Sequence, residues 1–254
     1  MKKWILQMAL TALLLFALFN VLYAANLGGK YTKGGTETDF TGKASLADAV
    51  EAVKAEITKL ELTTGDLTDA DWEWLKGDCA KSFVKLEELT IATTMNSVAE
   101  FKGYAYNTSF YEFPALKKLT IAKIKNFVEG VFKKSVAIEE LTLPNVEKLG
   151  MGAIGYVADG AGSYMSLALQ TLRMPSCKEI ESGNFTESQA NNFELLVLGP
   201  IPPKVGNDAP HWTDHISASL KLVNKDGSDL SAEELAKAQK AYLAKNNTDG
   251  KWYG

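Results

Sequence analysis

The stretch LTLPNVEKLGMGAI, Leu141 to Ile154, recurs one unit later as LRMPSCKEIESGNF, Leu172 to Phe185. Each copy holds two phrases. The first ends in alternating apolar residues, as in Ile138-x-x-Leu141-x-Leu143 and Leu169-x-x-Leu172-x-Met174. The second has apolar residues at offsets 0, +3 and +8, with a small or variable residue at +7. It reads Val146, Leu149, Ala153, Ile154 in one copy and Cys177, Ile180, Asn184, Phe185 in the next. Ile124, Phe127, Val131 and Phe132 fit the same frame one unit earlier, so three successive units align over both phrases without a gap. Gly130, Gly152 and Gly183 all fall at +6, where a sharp bend or close approach of the backbone suits glycine.

Outward from this centre the first phrase continues in both directions. Ile57-x-x-Leu60-x-Leu62, Leu86-x-x-Leu89-x-Ile91 and Leu116-x-x-Leu119-x-Ile121 precede it. Phe193-x-x-Leu196-x-Leu198 follows, with a degenerate copy carried by Leu220 and Leu222. The starts lie roughly 22 to 31 residues apart, near the leucine-rich-repeat range. Strict alternation marks a short strand, with Leu89 and Ile91 inward while Glu88 and Thr90 point out. One unit is too short to bury its own apolar face, so neighbours must stack into a common core under a parallel sheet. The fold expected is α/β: a leucine-rich-repeat solenoid with short parallel strands on one face, an irregular convex side and helical caps at both ends.

The two quoted stretches, together with GPIPPKVGNDA (Gly199 to Ala209) and LELTTGDLTDADWEWL (Leu60 to Leu75), resemble the BspA-like leucine-rich repeat proteins. The resemblance covers about residues 40–223. It implies a secreted or surface-exposed bacterial protein of adhesion or binding type, and it carries no shared catalytic residues. Two departures stand out. Residues Thr93 to Ser97 are extra after the second strand, and Pro210 stands where the sixth unit needs a large apolar residue.

The ends follow from the same physics, because terminal units of a stack expose apolar surface. Ser45 to Ile57 reads as an amphipathic helix opened by a Ser45/Asp48 capping box, and Thr68 to Leu75 as a second short helix. At the other end Ser231 to Lys245 reads as a helix with a Ser231/Glu234 box and Leu235, Ala238 and Tyr242 on its inner face. The segment 25–44, rich in Gly, Thr and Lys, reads as a flexible leader. The organisation expected is therefore 1–24 signal peptide, 25–44 leader, 45–85 N-terminal helical cap and first repeat, 86–223 repeats, and 224–254 C-terminal helical cap.

The signal peptide rests on Lys2 and Lys3, an apolar run from Trp4 to Ala24, and Leu22 and Ala24 at the −3 and −1 sites of a cleavage before Ala25. An uncleaved anchor is the rival, and Gln7, Thr11 and Asn20 within the run weaken it. The expected location is secreted or cell-surface, with no membrane span after cleavage. Net charge is −4, without a strongly basic patch, which argues against a nucleic-acid partner.

No nucleophile elbow, phosphate loop or dinucleotide fingerprint occurs, so no catalytic residue and no cofactor is assigned. His211 and His215 bracket Asp214 at helical ligand spacing. Pro210 breaks a helix there, and no metal is assigned. Glu87-Glu88, Lys117-Lys118 and Glu139-Glu140 hold matching outward places with alternating sign. That pattern favours cross-strand pairing over a charged recognition face. Three functions from different classes remain: a binding module for a protein or glycan, a structural component of a surface assembly, and an enzyme of unrecognised type. The helical caps argue for a monomer.

A ligand-binding site is expected where the second phrase connects to the next strand. Two connections are long: Asn107 to Ala115 with Phe110, Tyr111 and Phe113, and Gly155 to Ala168 with Tyr156 and Tyr164. The short one between them brings Lys133 and Lys134. All three should emerge on one edge and form a notch with aromatic walls and a basic floor, a common recognition arrangement for loops on a rigid scaffold. The competing expectation is that the aromatics fold back over the core.

The register also separates the cysteines. Cys177 takes a core slot, and Cys79 lies about four strands away, or roughly 20 Å at the spacing of neighbouring strands. A disulfide needs Cα atoms within about 7 Å. Titration of the denatured, unreduced protein should find both thiols free, and finding neither would break the register.

Overall fold

Alternating apolar residues build the central sheet of this chain. In Glu88–Ile91, Lys118–Ile121 and Thr171–Met174 every second side chain is buried and the one between is not. The computed structural model describes residues 26–76, 81–95, 110–111, 113–127, 132–133, 137–154, 157–158, 164–165, 168–181, 184, 194–205 and 220–249. The architecture is mixed α/β, with parallel strands in sheets and few helices.

In chain order the elements begin with strands β1 (Leu27–Lys33) and β2 (Thr36–Lys43), helix α1 (Leu46–Val50) and strands β3 (Ile57–Thr64) and β4 (Asp66–Leu67). Helix α2 (Asp69–Lys76) follows, then β5 (Glu88–Ile91), β6 (Thr94–Met95), β7 (Phe110–Tyr111), β8 (Lys118–Ile121), β9 (Asn126–Phe127) and β10 (Phe132–Lys133). Next come β11 (Glu140–Thr142), β12 (Lys148–Leu149), β13 (Val157–Ala158), β14 (Tyr164–Met165), β15 (Thr171–Met174) and β16 (Glu179–Ile180). The last are β17 (Leu195–Leu198), β18 (Lys204–Val205), β19 (Leu220–Leu222) and helix α3 (Ala232–Asp249).

Nine strands form one sheet in the order β19-β17-β15-β11-β8-β5-β3-β1-β2. From β3 to β19 all neighbours are parallel, and the fourth residue of the first phrase lines up across them. Leu60 opposes Leu89, Leu89 opposes Leu119, and the column continues through Leu141, Leu172, Leu196 and Leu220. Leu60 through Leu196 are buried in a single apolar cluster, with Leu220 packed at its end. A one-residue slip of any strand would turn its leucine to the opposite face.

The second phrase makes its own ladder, in the order β18-β16-β12-β9. Phe127, Leu149, Ile180 and Val205 oppose one another in parallel register. The second phrase is thus more regular than the sequence suggested. Two-residue strands are long enough to exchange ladder hydrogen bonds, yet too short to leave a periodic signal. Gly152 has φ of +62°, as the bend at offset +6 requires. Gly130, Val131, Gly183 and Phe185 lie outside the described residues.

The N-terminal segment is not a flexible leader. Its strands β1 and β2 form an antiparallel hairpin that pairs through β1 with β3 and closes that end of the sheet. The turn is Gly34-Gly35, with φ of +56° and +81°, flanked by Lys33 opposite Thr36. That is the two-residue hairpin connection whose hand matches strand twist. Leu27 and Phe40 are buried, and the Tyr31 ring stacks on Phe40 at 6.4 Å. Threonine at alternate places supplies strand propensity that a composition reading takes for disorder.

The helices match their expected starts better than their lengths. Ser45 Oγ accepts from the Asp48 N–H at 3.1 Å, but α1 ends at Val50, and Ile57 opens β3 instead of closing a helix. Helix α2 begins where expected. Asp71, buried near its start, accepts from the N–H and hydroxyl of Thr68 at 3.0 and 2.7 Å and from the Leu46 N–H at 2.6 Å. One carboxylate thereby ties the first turns of α1 and α2 together, as charge-assisted bonds to N-terminal amides favour. At α3 the capping box is complete, with Ser231 N–H to Glu234 at 2.9 Å and Glu234 N–H to Ser231 Oγ at 3.3 Å. Ala238 and Tyr242 of α3 are buried, and the Tyr242 hydroxyl donates to the Gly199 carbonyl at 3.0 Å.

Leu→Ala at Leu141 or Leu172, both fully buried, should cost about 2–5 kcal/mol in a urea titration. Lys118→Ala, on the outer face, should leave the midpoint nearly unmoved. The reverse order would mean that the two faces of the sheet are exchanged.

Candidate functional site

The connections between the second phrase and the next strand come together along one edge. Strands β7 and β10 pair in parallel, with Phe110 opposite Phe132 and Tyr111 opposite Lys133. Strand β10 also packs beside β13, which forms an antiparallel hairpin with β14, Ala158 opposite Tyr164. The short connection therefore lies between the two long ones, in the order the sequence implied. The side chains of Phe110, Tyr111, Lys133 and Tyr164, and all of Lys134 and Tyr156, lie outside the described residues.

Phe113 is a correction. It is 1% exposed and belongs to the apolar core. Its ring lies 6.0 Å from Phe83, whose own ring meets Trp74 edge-on at 5.9 Å. Phe113 sits three residues before Leu116, the first residue of the next strand phrase, so it enters the core with that strand and cannot line a recognition wall. At this position the aromatic folds back.

The outer face of the main sheet is largely self-neutralised. Opposed residues read Lys59, Glu88, Lys118, Glu140, Thr171 and Leu195 in one row. Lys118 reaches Glu140 at 2.8 Å, and Lys59 reaches Glu61 at 2.8 Å and Glu88 at 3.4 Å. The second ladder repeats the device, with Lys178 to Glu147 at 2.7 Å and Lys148 bonded to Glu181. The hydrogen bond from Lys59 holds the Glu61 carboxyl below its usual range, and Lys178 and Lys148 do the same for Glu147 and Glu181.

A buried polar group was not legible in the sequence. Asn184 holds the +7 slot that is alanine one unit earlier. Its amide donates to the carbonyls of Gly150 and Glu181 at 2.7 and 2.8 Å, and its oxygen accepts from the Ile154 N–H at 3.2 Å. It staples two successive bends. Cys177 is buried and free, and burial pushes its thiol up to about 12. That environment suits a core residue and opposes a reactive one. Cys79, His211 and His215 lie outside the described residues. Among the described residues no group of three His, Cys, Asp or Glu could hold a metal ion, and no helix is long and apolar enough to cross a membrane.

No known protein family, no curated protein and no solved structure matches this chain.

These shifts set a pH profile. The lowered carboxyls stabilise the fold above their ordinary value of 4.5, and that contribution is lost as pH falls through their folded values. The raised Cys177 thiol acts at the other end. Its contribution is complete below 9.0 and is lost as pH rises toward about 12, because only the unfolded chain ionises in that window. Urea midpoints should form a plateau with both limbs falling, and Cys177→Ala should shallow the alkaline limb. A midpoint that rises between pH 9 and 11 would contradict the assignment.

Proposed function

We propose that this chain is an exported leucine-rich-repeat solenoid, similar to the BspA-like proteins, that binds a protein or glycan and does no chemistry of its own. The observation that carries the reading is the double register. In four successive stretches the first phrase lies in the main sheet and the second in the ladder β18-β16-β12-β9, and the described connections β7, β10 and β13 lie side by side. A scaffold of that kind holds loops in fixed relation, which is what recognition needs. The ligand edge in this reading comprises Phe110, Tyr111, Lys133, Lys134, Tyr156 and Tyr164. An N-terminal signal peptide over 1–24, outside the described residues, would deliver the mature chain to the cell surface or beyond.

A structural role by end-to-end assembly is the competing reading, and the sheet ends disfavour it. Among the described residues the outermost strand at one end of the sheet is β2, whose exposed residues include Glu37 and Asp39. Pairing two such edges would bring carboxylates together, a common device against sheet extension. The other end is flanked by α3, whose Tyr242 and Ala238 pack against the core.

The mature chain, residues 25–254, should bind a member of a panel of glycans and extracellular matrix proteins. A Tyr111→Ala/Tyr164→Ala double variant should keep the melting temperature and bind at least about tenfold more weakly. A folded double variant with unchanged affinity would remove this edge as the site.

A further inference from the structure

The hairpin covers the apolar end of the core but leaves its own main-chain edge open. Strand β2 is outermost, and among the described residues only β1 pairs with it. It is also long, at 8 residues, where the main-sheet strands from β5 onward have 3 or 4. Edge strands are commonly kept short, or blunted by proline or a bulge. β2 contains no proline, and the register shift in its pairing with β1 falls between Leu27 and Gly29, at the end away from the turn. Lys33 and Thr36 flank the two-residue turn and form its hydrogen-bonded pair. Bonded and non-bonded pairs alternate along an antiparallel ladder, so Thr38 and Phe40 also bond to β1. The N–H and C=O of Glu37 and Asp39 therefore face the open side, and both residues are exposed.

A second observation is the sign of the charges that reach this edge. On the outer face, charges alternate from strand to strand. One row runs Glu61, Lys30, Asp39, and the other runs Lys118, Glu88, Lys59, Thr32, Glu37. Each row ends at β2 on a carboxylate, so the next strand in either row would carry a cation. Lys30 is shared between Glu37 at 3.0 Å and Glu61 at 3.6 Å, and the Asp39 carboxylate has no ion pair among the described residues.

We infer that the open edge of β2 receives an extended segment of another protein, antiparallel to β2, with two basic side chains two residues apart. The basic residues stand opposite Glu37 and Asp39. They exchange main-chain hydrogen bonds with them and continue the alternation of sign. The residue between them lies on the inner face, beside Thr38. A second copy of this chain fits poorly. Its own β2 would bring carboxylates to carboxylates, and β19, at the other end of the sheet, offers a single lysine, Lys221, already paired with Asp229 at 2.8 Å. The edge uses none of the residues of the connection edge proposed above, so the two readings are tested separately.

The nitrogen-15 NMR spectrum of the mature chain can be titrated with N-acetyl-threonyl-lysyl-valyl-lysyl-threoninamide. The peptide should shift the backbone amides of Glu37 and Asp39 saturably and slow their hydrogen exchange. An analogue with glutamate for both lysines should bind about tenfold more weakly. Methylation of both lysine amide nitrogens should weaken binding as much, because those N–H groups bond to β2. Methylation of the valine nitrogen, which faces away from β2, should change little. Glu37→Gln/Asp39→Asn should lose about the same factor, with the rest of the spectrum unchanged to show that the fold is kept. Tyr111→Ala/Tyr164→Ala should bind the peptide as the native chain does. The inference is overturned if no saturable shift appears at β2, if the glutamate or lysine-methylated peptide binds equally well, or if either double variant gives the opposite result. It is also overturned if the peptide-free chain sediments as a dimer with the Glu37 and Asp39 amides already protected, which would place a second copy on this edge.

Discussion

Everything in this structure depends on one constraint: a single short strand of the main sheet cannot bury its own apolar side chains. Leu141 is covered because Leu119 and Leu172 stand directly opposite it on the strands to either side. The same holds along the column from Leu60 to Leu196. Neighbouring strands lie about 4.8 Å apart, so a side chain in this column touches its equivalents before anything else. Burial, register and strand order are therefore one fact seen three ways. The constraint also makes the ends the weak points. A hairpin closes one of them and a capped helix packs against the other.

Polar groups are arranged around that column according to what burial demands. Where the backbone bends inside the core, Asn184 satisfies three backbone groups at once. Where two helices start side by side, Asp71 collects their donors. On the outer surface the requirement is looser, and sign alternation suffices. Exposed pairs such as Lys118 and Glu140 contribute little to stability, but like charges in register would oppose the pairing that places them there.

The column was legible because its signal is redundant. Seven copies of one phrase outvote any local ambiguity, and Cys177 could be assigned to the core simply by its slot. What failed to show was local and unrepeated. The β1–β2 hairpin occurs once, in Gly- and Thr-rich sequence, and its signature is only the Gly34-Gly35 pair between strand-forming residues. Helix α1 was read too long because Val53 and Ile57 continue its apolar spacing, although Ile57 also begins the strand phrase. Phe113 looked like a loop aromatic by sequence position. In three dimensions it is the first side chain of the returning strand to reach the core. Asp71 gave no sign of burial, since Thr-x-x-Asp before a helix reads equally well as a solvent-exposed cap. The order of the described connections was legible, β10 pairing with β7 and packing beside β13, because each follows its own strand of the ordered main sheet.

The column can be tested by nuclear Overhauser contacts between backbone protons. Strand Glu140–Thr142 should show parallel-pattern contacts to Lys118–Ile121 on one side and to Thr171–Met174 on the other, with Leu141 opposite both Leu119 and Leu172 and no contact between the outer two. Contacts to one side only, or a register displaced by one residue, would contradict the account.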